Sequence, residues 1–485
     1  MSRKLSKAGA LAAGIAAALA ALSAPAQAGN NFFDLGDLVV TVEGNGVVGA
    51  TSGSYTDNQA SPFTLFQYLP NGTSSATYVD SLVLPQVASG NNFAISAEYG
   101  SSSEGAIQLS GNGQYLTVMG YGVNAAAFNA NPFAYGNNAA LAQSNSLTGQ
   151  TVAAVPRVVV TIDGNGNVNS STAVYNVFNG NNPRSVYSAT GNTFYISGQG
   201  SSGDSTGGVF YTTTGSHSAS AITGLDTSGG TVAQDTRSVQ IINGQLYVSV
   251  DSKGGSGNAR SYIGTLGTAG NPPTSLANGG NGPTMLTGFG NTGGTGKEVI
   301  SAANTNGINK AGQTVNLSPE AFYFANASTL YVADSGSPKN NSASTALGDG
   351  GLQKWVNSKA DGSGTWSLAY TISAGLNLVS NTASSGTTGL LSLTGKVVNG
   401  QVELFATNYT VGDTDKTYLF GITDTLSATT KLGGEAFSIL ATAPADSNFK
   451  GVSFAPVSPV PEPTTYAMFG AGLLMIWVVR RRQSR

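Results

Sequence analysis

Three oxygen-bearing side chains stand at alternate positions in one short segment, where they could ligate a cation. Asp163, Asn165 and Asn167 have the spacing with which a calcium-binding loop begins. The twelfth position of such a loop is Val174, which cannot supply the carboxylate that completes a calcium site. A hairpin turn uses the same residue types. We therefore expect a plain turn and no cofactor, with a calcium site as the alternative.

Catalytic residue types are scarce in the rest of the chain. The single histidine, His217, is surrounded by Ser and Thr, and no nucleophile elbow adjoins it. A Ser-His-Asp triad would need this histidine. With Cys 0 and one His, the ligands of a usual zinc site are missing. We expect His217 to lie on the surface and the protein to be a non-enzyme.

Charged residues recur at one position of a repeating pattern, although only 9% of the residues are charged. Six side chains stand at or near the start of the first strand in successive units: Glu104, Arg184, Arg237, Glu320, Thr388 and Lys450. If first strands line a central channel, these side chains form a ring at its mouth. The ring is either a polar ligand site or a set of ion pairs that holds neighbouring units in register, and buried charges must be paired in both cases. Ion pairs between neighbours need no ligand.

The repeating pattern is a pair of strands joined by a tight turn. First strands begin near Ala106, Ser185, Ser238, Ala321 and Gly389. Asn-Gly occurs at three of the turns, and these residues supply the positive φ that type I′ hairpins need. β-Branched and aromatic residues fill the strands. The body is therefore predicted to be all-β, without helical periodicity between the two termini.

Weaker strand candidates follow most pairs, which gives three to four strands per unit and predicts a β-propeller. The last fragment, Gly451-Val-Ser-Phe-Ala, begins a unit and stops, whereas the N-terminus holds unpaired strands from Leu38 onwards. We expect one blade to be shared by both ends, which closes a ring of six blades. Strands hidden between Thr284 and Leu317 would make seven. A β-sandwich array or a β-helix is the competing architecture.

The N-terminus has the features of a secretory signal peptide. Arg3, Lys4 and Lys7 precede an Ala-rich apolar stretch, which ends in the small residues Ala26 and Ala28. Cleavage after Ala28 assigns 1–28 to the signal peptide and 29–458 to the body. We therefore expect export by the general secretion machinery and signal peptidase.

The C-terminal tail, 459–485, combines three elements in order. Pro461, Glu462 and Pro463 precede an uncharged run, Thr464–Val479, and an Arg cluster follows that comprises Arg480, Arg481 and Arg482. The run would span about 24 Å as a helix, less than the roughly 30 Å of a bilayer core. The arginines would stay cytoplasmic. We predict a single short transmembrane helix that anchors the body outside the inner membrane.

This tail resembles the PEP-CTERM sorting signal of Gram-negative bacteria. The resemblance implies that an exosortase-type membrane protease recognises the tail and passes the protein to the cell surface or the extracellular space. A plain C-terminal anchor is the alternative. The resemblance covers about 26 residues and says nothing about the body.

A second resemblance concerns one hairpin, Ser103 to Gly122, which is similar to the strand pairs of phytase-like esterase propellers. It implies a secreted hydrolase in which Glu104 and Glu320 hold calcium at the channel mouth. This is the alternative function.

Composition narrows the partners. The net charge is −3 without a basic stripe, which argues against nucleic acid. Cys 0 excludes disulfides, so the exported fold must rest on backbone pairing and apolar burial. The loop from Gly122 to Thr148 is rich in Asn, Ser and Ala, which could supply adaptable hydrogen bonds. We predict a non-enzymatic binding or structural propeller of the extracellular matrix or biofilm, which binds polysaccharide or a surface protein.

Overall fold

β-Branched and aromatic residues dominate the body, and they form antiparallel strands along almost its whole length. The computed structural model describes residues 32–457, except for 137, 202–203, 225–234, 252–260, 290–296, 309, 337–349 and 381–382. Within this part, Phe33–Val457 is one unit. The predicted signal peptide and the predicted sorting tail lie outside the described residues.

The first eight strands belong to one large sheet. They are β1 (Leu38–Gly44), β2 (Ala60–Asn71), β3 (Ser75–Val83), β4 (Ser96–Glu98), β5 (Gln108–Leu109), β6 (Tyr115–Tyr121), β7 (Arg157–Asp163) and β8 (Val168–Val174). β2 pairs with β1, β3 and β4, and β6 pairs with β4, β5 and β7. The short strand β4 therefore joins two runs of strands, β1-β2-β3 and β5-β6-β7-β8, into one sheet.

Two separate four-stranded meanders follow. The first contains β9 (Pro183–Tyr187), β10 (Thr193–Gly198), β11 (Gly208–Thr213) and β12 (Ser220–Ala221). The second contains β13 (Thr236–Ile242), β14 (Gln245–Asp251), β15 (Ser261–Leu266) and β16 (Thr284–Met285). In each meander every strand pairs with the next one along the chain.

The segment between Thr284 and Leu317 does contain strands. Besides β16, it holds β17 (Lys297–Val299) and β18 (Thr314–Asn316), which pair only with each other. Among the described residues they form a two-stranded sheet and not a further four-stranded one.

Two more four-stranded meanders complete the repeats. They contain β19 (Pro319–Asn326), β20 (Thr329–Asp334), β21 (Gly351–Asn357) and β22 (Trp366–Ile372), then β23 (Thr387–Val398), β24 (Gln401–Thr410), β25 (Tyr418–Thr425) and β26 (Ser438–Thr442). The last strand, β27 (Ser447–Phe454), pairs with β1, and Leu38 lies opposite Phe454. Strands from the two ends of the body thus lie side by side in the nine-stranded sheet.

The apolar core lies between successive sheets. One cluster joins Tyr331, Leu352 and Tyr370 of one meander to Leu404 and Phe420 of the next. Another packs β10 and β11 against β6 and β7. Neighbouring four-stranded sheets therefore pack face to face, as the blades of a propeller do. The predicted all-β propeller arrangement is confirmed, and the described residues form four separate four-stranded blades.

The first strands of the meanders are neighbours in space. β9 contacts β5 and β13, and β19 contacts β13 and β23. β27 contacts both β23 and β5. Residues near the start of these strands therefore come together although they are far apart in the sequence.

Local turn chemistry follows the sequence at two of the three Asn-Gly pairs. Asn243-Gly244 and Asn399-Gly400 have positive φ at both residues, as type I′ turns require. At the third pair only Gly113 has a positive φ, because the loop between β5 and β6 is longer than two residues.

A short helix, α1 (Ala125–Ala130), was not predicted. Its Ala run favours a helix, and the Asn124 side chain caps its start by accepting a hydrogen bond from Ala127 N. It lies in the loop between β6 and β7. No helix among the described residues is long and apolar enough to cross a membrane. The predicted helix Thr464–Val479 falls outside those residues.

Candidate functional site

Five of the six recurrent polar residues line one small cavity between the first strands. Glu104, Arg184, Arg237, Glu320 and Lys450 are all buried around about 20 Å³, room for about one water molecule. Thr388, the sixth, is also buried but donates its hydroxyl to the carbonyl of Ser335 at 2.9 Å. It is not among the residues that line the cavity.

Arg237 is the centre of an ion-pair network in this cavity. Its Nη1 lies 3.1 Å from Glu320 Oε2, its Nη2 lies 3.0 Å from Asp251 Oδ2, and its Nε lies 3.3 Å from Asp235 Oδ1. Asp235 also pairs with Arg184. One guanidinium therefore links side chains of β13, β14 and β19.

Lys450 and Glu104 also line the cavity and make a second set of contacts. Lys450 Nζ lies 3.4 Å from Glu43 Oε2 and also donates to the carbonyl of Ser101. Glu104 accepts hydrogen bonds from the Tyr121 hydroxyl at 2.6 Å and from Asn182 Nδ2 at 3.2 Å. These contacts join β27, β1 and the segment before β5.

Burial shifts the titration of this cluster. Burial raises the pKa of Glu320 to about 7, although the charge on Arg237 acts in the opposite direction. Burial lowers the pKa of Arg184 to about 9, and the like charge of Arg237 adds to the effect. Burial also raises the pKa of Glu43 well above its ordinary value, against the attraction of Lys450. The charge state of the cluster therefore depends on pH near neutrality.

The sequence did not point to three of the acids in this network. Asp235 precedes β13, Asp251 ends β14, and Glu43 lies on β1, so none belongs to the recurrent position. A signal was available, because Asp235 stands two residues before Arg237 and a buried cation needs a partner. The geometry favours ion pairs that hold the sheets in register over a ligand site within this cavity.

A much larger pocket, of about 600 Å³, adjoins Glu98 and Ser101. Its walls are the loop after β4, the loop between α1 and β7, and the loop between β8 and β9. The lining is mostly side-chain amides, hydroxyls and backbone: Asn58, Ser101, Ser102, Ser103, Asn138, Gln143, Asn145, Gln150, Thr151, Asn179, Asn181, Asn182 and Ser201, with Glu98 and Asp413 as the carboxylates. Part of the loop from Gly122 to Thr148 therefore lies on this pocket.

Arg157, at the start of β7, holds two of the pocket loops. Its side chain is fully buried, and its Nη2 donates to the carbonyls of Phe178 at 2.9 Å and Asn181 at 3.0 Å. The same nitrogen donates to the carbonyls of Ala142 at 3.2 Å and Ser144 at 3.0 Å. Backbone carbonyls thus replace a carboxylate as the partners of a buried cation.

Two buried carboxyl groups lie where the pocket meets the channel. Glu104 Oε1 accepts from the backbone N–H of Glu98 at 2.7 Å, and Glu98 accepts from the backbone N–H of Ala142. Asn182 donates to Ser101 Oγ at 2.9 Å as well as to Glu104. Burial raises the pKa of Glu98 well above its ordinary value, and the charge of Glu104 adds to the rise. These groups connect the polar pocket to the ion-pair network.

The segment that resembles a calcium loop is the hairpin between β7 and β8. Asp163 Oδ1 accepts hydrogen bonds from the backbone N–H groups of Asn165 and Asn167, both at 2.9 Å. Asp163 Oδ2 accepts from Asn167 Nδ2 at 2.9 Å. The side-chain oxygens of Asp163 thus stabilise a turn. No cluster of three or more His, Asp or Glu suited to a metal occurs among the described residues.

His217 lies in the turn before β12, exposed, as expected of a surface residue. Its ring packs at 6.0 Å from the Phe93 ring and 6.1 Å from the Tyr175 ring. Nδ1 lies 3.1 Å from the carbonyl of Ala173. His217 is not among the residues that line the polar pocket.

The C-terminal residues 459–482 match the PEP-CTERM protein-sorting motif. Together, the fold and this motif define an exported β-propeller that is sorted by an exosortase-type system and transiently anchored in the membrane. The predicted sorting motif, which includes Pro461, Glu462, Pro463 and Arg480 to Arg482, is therefore confirmed in sequence, although its structure is outside the described residues.

Solved structures that match this chain include the β-propeller domain of the Trilobed protease from Pyrococcus furiosus, at 8% identity and a TM-score of 0.26. That match covers 79% of this chain and 98% of that one. Apo AztD from Citrobacter koseri matches at 10% identity and a TM-score of 0.28, covering 87% and 99% of the two chains. No curated protein matches the chain.

Proposed function

We propose that the body is a closed six-bladed ring. Four blades are the separate meanders, and the nine-stranded sheet supplies two more, β27-β1-β2-β3 and β5-β6-β7-β8. The cycle of contacts among β5, β9, β13, β19, β23 and β27 supports this count. The pairing of β27 with β1 supports closure by strands from the two ends.

We further propose that this propeller is a non-enzymatic binding protein of the cell surface or extracellular matrix, and that it binds a neutral polysaccharide. The observation that carries the proposal is the polar pocket of about 600 Å³, whose lining is dominated by amides and hydroxyls. Such groups donate and accept hydrogen bonds without imposing charge, which suits a ligand rich in hydroxyl groups.

The charge of the pocket narrows the class of glycan. Its described lining includes the carboxylates Glu98 and Asp413 and no Lys or Arg. A polyanionic polymer would find no Lys or Arg among the described lining residues to pair with its charges. A neutral glycan would instead use the amides of residues such as Gln143 and Asn181 on the pocket walls. The rigid support that Arg157 provides would reduce the entropy lost on binding.

Export would place this binding protein outside the inner membrane. We propose that signal peptidase cleaves after Ala28 and that Arg480 to Arg482 remain cytoplasmic until an exosortase-type protease acts. Cell fractionation combined with intact-mass measurement tests both ends of the chain. Full-length protein in the cytosol, with both ends intact, would contradict the export route.

The alternative is a propeller hydrolase with calcium at the channel mouth. It would need Glu104 and Glu320 to face the same cation. Glu320 is paired with Arg237 at 3.1 Å, and Glu104 already accepts hydrogen bonds from Tyr121 and Asn182. Calcium would have to displace a buried guanidinium, which favours the binding protein over this alternative.

A glycan-binding measurement tests the main proposal. Titration of the mature protein with neutral exopolysaccharide fragments, followed by calorimetry, should give saturable binding without turnover. The double variant Gln143→Ala, Asn181→Ala should weaken binding at least tenfold. The matched control is Asn91→Ala, because Asn91 is an exposed amide that lines a different pocket together with His217. This variant should bind normally. Equal binding by both variants would show that this pocket is not the glycan site. Release of shortened glycans would show that the protein is an enzyme.

A further inference from the structure

A lysine and an aspartate meet inside the interface between two neighbouring blades. Lys354 lies on β21 and Asp424 on β25, and both side chains are 0% exposed. Lys354 Nζ lies 2.9 Å from Asp424 Oδ2. The two residues are 70 positions apart in the sequence. A bond between them would join the third strand of one meander to the third strand of the next.

The aspartate is surrounded by groups that donate to its oxygens. The Tyr370 hydroxyl donates to Oδ1 at 2.7 Å, and the Tyr331 hydroxyl donates to Oδ2. Glu435, half-buried in the loop before β26, is also hydrogen-bonded to Asp424. Two carboxyl groups share a hydrogen bond only if one of them carries a proton. The site therefore contains an amine, a carboxyl acceptor and a second carboxyl that can move a proton.

We propose that Lys354 and Asp424 condense to an isopeptide bond between Nζ and Cγ, with Glu435 as the proton-transfer residue. Lys354 first gives one ammonium proton to the carboxyl pair, and the neutral amine attacks Cγ. A second proton from the nitrogen then leaves with one carboxyl oxygen as water. The third stays on the amide nitrogen. An ammonium and a carboxylate thus become one amide and one water, and no oxidant or further reactant is needed.

The surroundings favour this chemistry at several points. Complete burial of both side chains keeps bulk water away from the reacting atoms and from the amide that forms. Because the fold already holds Lys354 Nζ at hydrogen-bond distance from the Asp424 carboxyl, little further entropy is lost in bringing the reacting atoms together. The Tyr331 and Tyr370 hydroxyls point at the oxygens on which negative charge develops during the attack.

A second Lys–carboxylate pair provides an internal comparison. Lys396 Nζ lies 3.1 Å from Glu403 Oε2, a similar separation, but these side chains are 44% and 22% exposed. Water stabilises both charges there, so this pair should remain an ordinary salt bridge. Separation alone therefore does not predict condensation, whereas burial beside a second carboxyl does.

A covalent bond would also suit the composition of the chain. With Cys 0, an exported body has no disulfide to restrict its unfolded state. A Lys354–Asp424 bond would close a large loop and restrict the unfolded chain in the same manner. It would tie two blades together in an environment outside the cell.

Mass spectrometry of the full mature protein under denaturing conditions tests the proposal. The mass should be one water lower than the mass calculated from the termini that peptide mapping identifies. Digestion should release a branched peptide that contains Lys354 and Asp424, and Lys396 and Glu403 should remain in separate linear peptides. Glu435→Gln, which keeps the shape of the side chain, should remove most of the branched peptide while a urea transition shows that the variant is folded.

Three results would overturn the inference. The first is a full-mass wild-type chain with Lys354 and Asp424 in separate peptides. The second is loss of water located at an Asp-Gly pair such as Asp361-Gly362, where a succinimide forms, without a branched peptide. The third is undiminished branching in Glu435→Gln, which would remove the assigned proton-transfer residue. None of these readouts depends on glycan binding.

Discussion

The hydroxyl of Ser249, on β14, donates a 2.7 Å hydrogen bond to the backbone carbonyl of Glu320, on β19 of the next sheet. The same relationship recurs around the body: a hydroxyl on the second strand of one run donates to a carbonyl on or beside the first strand of the next. The other pairs are Thr41 with Gly105, Thr117 with Val186, Ser197 with Arg237, and Thr407 with Lys450. Three of the acceptor carbonyls belong to Glu320, Arg237 and Lys450, whose side chains line the small cavity between the first strands.

Replacing one of these hydroxyls should weaken the contact between sheets. Thr117 Oγ1 donates to Val186 O at 2.9 Å and lies in the core. We expect Thr117→Val, which keeps the shape, to lower the free energy of unfolding by about 1–3 kcal/mol, because a buried carbonyl loses its donor. Urea denaturation measures the change. Thr77→Val, on an exposed strand position, should change stability by less than about 0.5 kcal/mol, and an equal loss in both variants would contradict the assigned role.

Glu320 should make stability fall as the pH rises towards neutrality. Its pKa is raised from 4.5 to about 7 in the folded protein, so between these values the folded state holds a proton that the unfolded state has lost. The free energy of unfolding therefore decreases with pH across this window, by up to the order of 3 kcal/mol.

Urea titrations from pH 4 to pH 8 on the wild type and Glu320→Gln measure this effect. The variant cannot ionise, so it should gain stability relative to the wild type as the pH rises. Glu403→Gln, in the exposed pair with Lys396, serves as the control and should show no such gain. If the wild type instead gains on Glu320→Gln at high pH, the ion pair with Arg237 dominates and the prediction is wrong.

Arg157 should be needed for both stability and the polar pocket. The planar guanidinium of Arg157 donates to carbonyls of two loops, whereas the single ammonium group of a lysine could not serve both. We expect Arg157→Lys to lower the free energy of unfolding by about 3–5 kcal/mol, since buried carbonyls and a buried charge lose partners. Urea denaturation and glycan titration check both effects. The exposed exchange Lys359→Arg should leave both unchanged, and normal glycan affinity in Arg157→Lys would show that the loops do not need this support.

Calcium should leave the melting temperature of the body unchanged. The side chain of Asp163 is bonded within its own turn, so removal of divalent ions with a chelator should have no effect. Asp163→Ala should cost about 1 kcal/mol through loss of the turn hydrogen bonds, with or without calcium. Differential scanning calorimetry compares the four conditions. A calcium-dependent rise in melting temperature that Asp163→Ala abolishes would restore the metal interpretation.

Much of the strand pattern was predictable because its causes are local. Alternation of apolar residues and the Asn-Gly turns locate the hairpins that became β13-β14 and β23-β24. The charged residues that recur before or within the first strands were also visible in the sequence, and they line the small cavity between those strands. The helix α1 was missed because its six residues are too few for a periodic signal.

The chain by itself determined the sorting tail and the strand-forming units, since a sorting motif and a hairpin are short contiguous patterns. Only the tertiary structure decided which partners meet. Asp235, Asp251 and Glu43 joined the predicted cations because neighbouring sheets bring together residues that no spacing relates. The polar pocket and the Lys354–Asp424 contact arise in the same manner, from loops and strands that become adjacent only when whole sheets pack face to face.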